Sequence, residues 1–196
     1  MIDSTSSLDT LPETFRFSEA KLAGVRQFEL ERWLSESKVE RISRGVYRKF
    51  SGESDGMEEL VAVCKRVPEG VLCLESALYL HELGTQIPRK VTIAVDRAVW
   101  TPKIQYPPTQ VLRFSGQAFS EGIEEFEKQG VRLRIYSKAK TVVDCFKYRN
   151  KIGEDVAVEA LRALTQMPGF TTDELLKYAK ICRIRAVIRP YLVAVM

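Results

Sequence analysis

The stretch FRFSEAKLAGVRQFELERWLSESKVERISRGVYRK, residues 15–49, most narrows what this chain can fold into. Ser18 reads as an N-cap for the helix-forming run EAKLA that follows it. Gly24 stands where that helix must stop, because glycine enters the left-handed region without a Cβ clash. From Arg26 to Ser37 a second helix is expected, with Leu30, Trp33 and Leu34 at i, i+3 and i+4 sharing one buried face. Phe28, Glu31, Arg32 and Ser35 then occupy the opposite face. Val39 and Ile42 interleave with Glu40 and Arg41 in a strand-like pattern, Ser43-Arg44-Gly45 offers a tight turn, and Val46-Tyr47 begin a return strand.

Helix, turn, helix and two-stranded hairpin, in that order, imply a winged helix-turn-helix over residues 15–50. The segment between Phe15 and Phe50 holds nine lysines and arginines against five acids, the local excess that phosphate binding requires. Arg26, Gln27, Arg32 and Ser35 are expected to read or border bases. Arg41, Arg44, Arg48 and Lys49 are expected to hold the backbone. Glu29, Glu31 and Glu36 repel phosphate, although a glutamate can also accept from the cytosine amino group.

A chain of 196 residues accommodates one large domain or two small ones. The net charge is only +4, so any nucleic-acid surface must be local rather than global. No apolar run reaches membrane-spanning length, and MIDSTSSLDTLPET lacks the basic-then-apolar layout of a signal peptide, so a cytoplasmic location is expected. The four cysteines form no C-x-x-C pair and the single histidine, His81, has no histidine partner. No metal and no cofactor are expected, and the cysteines read as reduced, buried hydrophobes.

The expected architecture is α+β: an N-terminal winged helix-turn-helix followed by a larger mixed α/β C-terminal domain. Residues 1–14 read as a flexible N-terminus, 15–50 as the winged helix, 51–56 (SGESDG) as a linker and 57–196 as the C-terminal domain. In the last of these, residues 57–67 and 71–83 read as helices, the second apolar on most sides. Residues 90–95 and 110–114 read as strands, and residues 122–128 and 131–136 as a hairpin about Gln129-Gly130. Ser137 is expected to cap a helix with Ala139, Val142, Val143 and Phe146 inward. Thr172 is expected to cap another near the C-terminus.

SALYLHELGTQIP (residues 76–88), VTIAVDR, VLRFSG, and above all SKAKTVVDCFKYRNKIGEDVAVEALR (residues 137–162) resemble the AbiEi antitoxin family. With ISRGVYRKF (residues 42–50), the resemblance extends over about residues 15–195. It implies a two-domain protein whose winged helix represses its own operon on double-stranded promoter DNA, at inverted repeats. It further implies a C-terminal domain that counters a nucleotidyltransferase-like toxin, as in type IV toxin–antitoxin systems, without a stable complex. The chain departs from that pattern at Phe28 and Glu29, where relatives often carry polar or basic residues.

The C-terminal region gathers a second basic group, Arg132, Arg134, Lys138, Lys140, Lys147, Arg149 and Lys151, with Asp144 as the one acid among them. It is expected to form a basic face, Arg132 and Arg134 pointing together from one strand. Asp144 is expected to pair with Lys140 or Lys147 rather than to act in catalysis. A nuclease is disfavoured because Asp96 ends a strand with no acid-x-Lys pair on a following strand, and no enzymatic activity is expected. The alternative from another class is a one-component repressor whose C-terminal domain senses a ligand.

Overall fold

Residues 8–50, 56–100 and 103–196 are described in the computed structural model, and they form an α+β fold with two separate sheets. The chain divides into two units. Unit 1 takes the described residues up to Pro68, with Ile104–Thr109 and Phe126–Leu133. Unit 2 takes the remainder.

Unit 1 opens with a strand, β1 (Thr14–Arg16), which runs directly into helix α1 (Phe17–Leu22). Glu19, rather than Ser18, organises the start of that helix: its carboxylate accepts the Arg16 N–H at 2.6 Å. Gly24, at φ +86°, turns the chain into α2 (Gln27–Ser35). There Glu29 repeats the device, accepting the Arg26 N–H at 2.8 Å. Strands β2 (Val39–Ser43) and β3 (Val46–Lys49) form the hairpin, and the three strands lie in the order β1-β3-β2, all antiparallel. A bulge interrupts the β2–β3 register between Arg41 and Ser43, and Val39 and Ile42, three residues apart, are buried on opposite faces of the sheet.

Helix α3 (Glu58–Arg66) belongs to this unit and not to a C-terminal domain beginning at residue 57. Its Ala62 packs with Ile42 and Val46 of the hairpin. The opposite side of the sheet joins α1 and α2 through Phe15, Ala20, Val25, Leu30, Trp33 and Val39. The expected flexible N-terminus is ordered over its described part, since Leu11 is buried in that second cluster and Thr14 begins β1. Residues 1–7, and 51–55 of the expected linker, lie outside the described residues.

Unit 2 carries β4 (Val71–Leu72), helix α4 (Leu74–Leu80), β5 (Val91–Asp96) and β6 (Thr109–Phe114). A short helix α5 (Gln117–Ser120) precedes the hairpin β7 (Ile123–Lys128) and β8 (Val131–Tyr136), of which Phe126–Leu133 fall in unit 1. The sheet runs β6-β5-β4-β8-β7, with β4 antiparallel to β5 and parallel to β8. Val71 and Leu72 are therefore strand, not the beginning of a helix. A central strand buried on both faces is as uniformly apolar as a buried helix, and periodicity alone does not separate the two.

Helices α6 (Lys138–Lys147), α7 (Arg149–Ile152), α8 (Glu154–Thr165), α9 (Thr172–Ile181) and α10 (Arg185–Val195) complete the unit. Ser137 caps α6, its hydroxyl accepting the Lys140 N–H, whereas Thr171 and not Thr172 caps α9 by accepting the Glu174 N–H. Helix α6 is the centre. It packs against α4, α8 and α9, so that every residue from Ala139 to Phe146 is buried. No helix of the described residues is long and apolar enough to cross a membrane.

Candidate nucleic-acid interface

Helix α2 buries Leu30 and Trp33 and leaves a stripe of Phe28, Glu31, Arg32 and Ser35 outward, at i, i+3, i+4 and i+7. Arg26 and Gln27 are exposed at the N-terminal end of the helix. The polar side chains here pair with one another. Gln27 Nε2 donates to Glu31 at 2.9 Å, Arg32 to Glu36 at 2.9 Å, and the Ser35 hydroxyl to the Arg32 carbonyl at 2.7 Å. Exposed i, i+4 pairs of this kind are weak and salt-screened, so an incoming polyanion displaces them at little cost. The Arg26 guanidinium lies 5.7 Å from the centre of the Phe28 ring, which is 57 % exposed.

The hairpin presents Arg41 and Arg44 to solvent, with Gly45 at φ +75° closing the turn. Arg66 of α3 donates to the Arg44 carbonyl at 3.1 Å and braces that turn. Lys49 is half-buried, its ammonium donating to the Asp9 carbonyl at 3.3 Å.

Arg48 departs from expectation. It is buried, directly opposite Glu40 in the β2–β3 register, and it pairs with Glu40 and, at 2.5 Å, with Glu58 of α3. The expected phosphate contact is thus a clamp inside unit 1. One signal was available in the sequence: Arg48 is two residues from Val46 on one strand, so both side chains leave the same face, and Val46 points inward.

The expected basic face of the C-terminal region does not form as one surface. Arg134 is held by Glu69 at 3.0 Å and Glu125 at 3.6 Å. Arg132 is exposed but groups with unit 1. Lys138 and Lys147 stand at opposite ends of α6, nine positions apart and so on opposite sides of it. Arg149 donates to the Phe146 carbonyl at 2.9 Å. Lys147 and Lys151 come to the rings of Phe114 and Tyr148, which stack with centroids 5.8 Å apart.

Lys140 is wholly buried. Its ammonium meets Asp144 at 2.5 Å, one turn along α6, and faces the Tyr136 ring at 4.0 Å and the Phe114 ring at 5.1 Å. The Cys182 thiol donates to the other Asp144 oxygen at 3.4 Å. Burial raises the Asp144 carboxyl above its ordinary value, although Lys140 pulls the other way. His81 ends α4 with Nε2 2.7 Å from the Tyr136 carbonyl, and burial lowers its pKa. All four cysteines are free and buried. Asp96, weighed as a metal ligand, accepts the Ala98 N–H at 2.7 Å. Among the described residues no group of three or more His, Cys, Asp or Glu is placed to hold a metal ion.

Unit 2 also has an open cleft of about 400 Å³ lined by Glu75, Gln86, Ile87, Pro88, Arg89 and Lys90.

No family model matches the chain, and no curated protein does. Among solved structures it is similar to the crystal structure of the RV2827C protein from Mycobacterium tuberculosis. The TM-score is 0.62 and the identity 14 %, over 90 % of this chain and 69 % of that one. At that identity the likeness is one of fold, and it agrees with the α+β arrangement.

Proposed function

We propose that this chain is an antitoxin of the AbiEi kind: unit 1 acts as a winged helix that represses the chain's own operon, and unit 2 serves to counter a nucleotidyltransferase-like toxin. The observation that carries the reading is the outward stripe of α2 beside a hairpin tip bearing Arg41 and Arg44. In a winged helix, α2 enters the major groove with Arg26, Gln27, Arg32 and Ser35 near base edges and phosphates. Arg41 and Arg44 then neutralise the adjacent backbone. Glu31 on the same stripe accepts from a cytosine amino group. The motif over residues 137–162 supports the antitoxin half of the reading through its resemblance to that family.

The test is a shift assay on DNA from the chain's own promoter, over a range of salt, comparing wild type with Arg41→Ala/Arg44→Ala. Two lost phosphate contacts are expected to make the log–log salt slope shallower by about 1.8. An unchanged slope and affinity in the double variant would refute the role given to the hairpin. Growth rescue on co-expression with a nucleotidyltransferase-like toxin encoded beside the chain's gene tests the second half, and absence of such a gene refutes it. The cleft in unit 2 favours a second reading, a ligand-sensing repressor, since its volume suits a small polar molecule. That reading requires promoter affinity to shift when cell extract metabolites are added.

A further inference from the structure

Phe28 is the one large apolar side chain on the outward stripe of α2, and it is 57 % exposed. It does not complete the core of its unit, which closes on Leu30 and Trp33 from the other side of the same helix. Its neighbours on the stripe and at the helix start, Arg26, Gln27, Glu31 and Arg32, are all polar. An aromatic ring set among such groups needs an apolar partner on whatever those groups bind. In the major groove one base edge offers that, the C5-methyl group of thymine.

Resting on the operator reading above, we infer that Phe28 is a specificity-determining residue that packs on a thymine methyl group. The Arg26 guanidinium lies over the Phe28 ring, 5.7 Å from its centre, a contact that favours this ring orientation. Arg32 lies four residues further along the same stripe, a rise of about 6 Å. Against the base-pair rise of about 3.4 Å, that places the thymine one or two base pairs from the position Arg32 contacts. The operator therefore contains a thymine whose replacement is felt through its methyl group alone, with the Watson–Crick pair and the phosphates unchanged.

The experiment uses the full chain and promoter DNA within the footprint it protects, each thymine replaced in turn by uracil, which lacks the methyl. Wild type is expected to lose about four-fold in affinity at one position in each bound half-site, the effect of withdrawing one buried methyl. Phe28→Ala is expected to bind more weakly overall and to treat thymine and uracil alike at that position, and Phe28→Leu to retain part of the discrimination. Circular dichroism checks that both variants fold, which the exposure of the ring predicts. Wild type that binds its promoter but ignores every methyl group overturns the inference and leaves the operator reading standing. A Phe28→Ala variant that changes the molecular mass in solution while keeping the discrimination also overturns it, by assigning the ring to contact between copies. Wild type that fails to bind the promoter at all overturns both.

Discussion

Replacing Lys140 by methionine removes one half of an ion pair that has no access to water. Lys140 is 0 % exposed and Asp144 0 %. The ammonium has no recourse but Asp144 and two aromatic faces, and the carboxylate none but Lys140 and a thiol. Breaking such a pair leaves a charge stranded in low dielectric and costs about 3–5 kcal/mol. For a chain of this size that lowers the melting temperature by about 6–20 °C. The sign of the pH dependence follows from the carboxyl. Burial already raises Asp144, with Lys140 opposing, and without Lys140 it rises further. A carboxyl raised in the folded state contributes most below its unfolded value, and that contribution drains away as pH climbs towards the folded one. Lys140→Met is therefore least damaged near pH 4, where Asp144 folds protonated. It then loses up to about 1.4 kcal/mol per pH unit until the raised pKa is passed. Asp144→Leu added to Lys140→Met removes both charges, and is expected to recover most of the loss. Urea denaturation followed by circular dichroism at pH 4.5 and pH 8 measures all three proteins. A Lys140→Met protein as stable as wild type at pH 8, or a double variant no better than the single one, would refute the reasoning.

Arg48→Ala removes the guanidinium that Glu40 and Glu58 share and is expected to destabilise unit 1 by about 1–3 kcal/mol in thermal melts, while leaving the salt slope of promoter binding as in wild type. Burial pushes the Cys64 thiol up to about 12 and holds Cys73 and Cys145 well above the ordinary value. The native protein is thus expected to react negligibly with a thiol-disulfide reagent at pH 8 and to titrate four thiols once unfolded in denaturant. Ser137→Ala removes the cap of α6 and is expected to cost about 1 kcal/mol, against only a few tenths for Ser137→Gly, in the same melts.

Elements with a clean period were legible in the sequence: Arg132 and Arg134 alternate with Val131, Leu133 and Ile135 along β8, and Ala139, Val142, Val143 and Phe146 mark the inner face of α6. Strand β1 was not, because three residues running straight into a helix carry no alternation. The Lys140–Asp144 pairing could be read from its i, i+4 spacing, but its burial could not. Burial there depends on α4, α8 and α9 surrounding α6 on all sides, and nothing in the sequence of α6 records how many neighbours it has. A solvated helix face and a paired interior one use the same residues. Arg48 shows the same ambiguity in a strand: its charge suggested solvent, while its parity with Val46 and its register partner Glu40 pointed inward. The outward stripe of α2 was legible because Leu30 and Trp33 define its complement.

The Arg48 clamp has a consequence for any ligand the hairpin grips. Arg48 ties β3 to Glu40 on its sister strand and to Glu58 on α3, while Arg66 secures the tip through the Arg44 carbonyl. Hairpins that are floppy before binding must surrender conformational entropy when they dock, and that loss weakens the complex. This one arrives already ordered, so the disorder has been given up during folding. Arg48 and Glu58 would thereby strengthen any complex the hairpin makes without touching its surface.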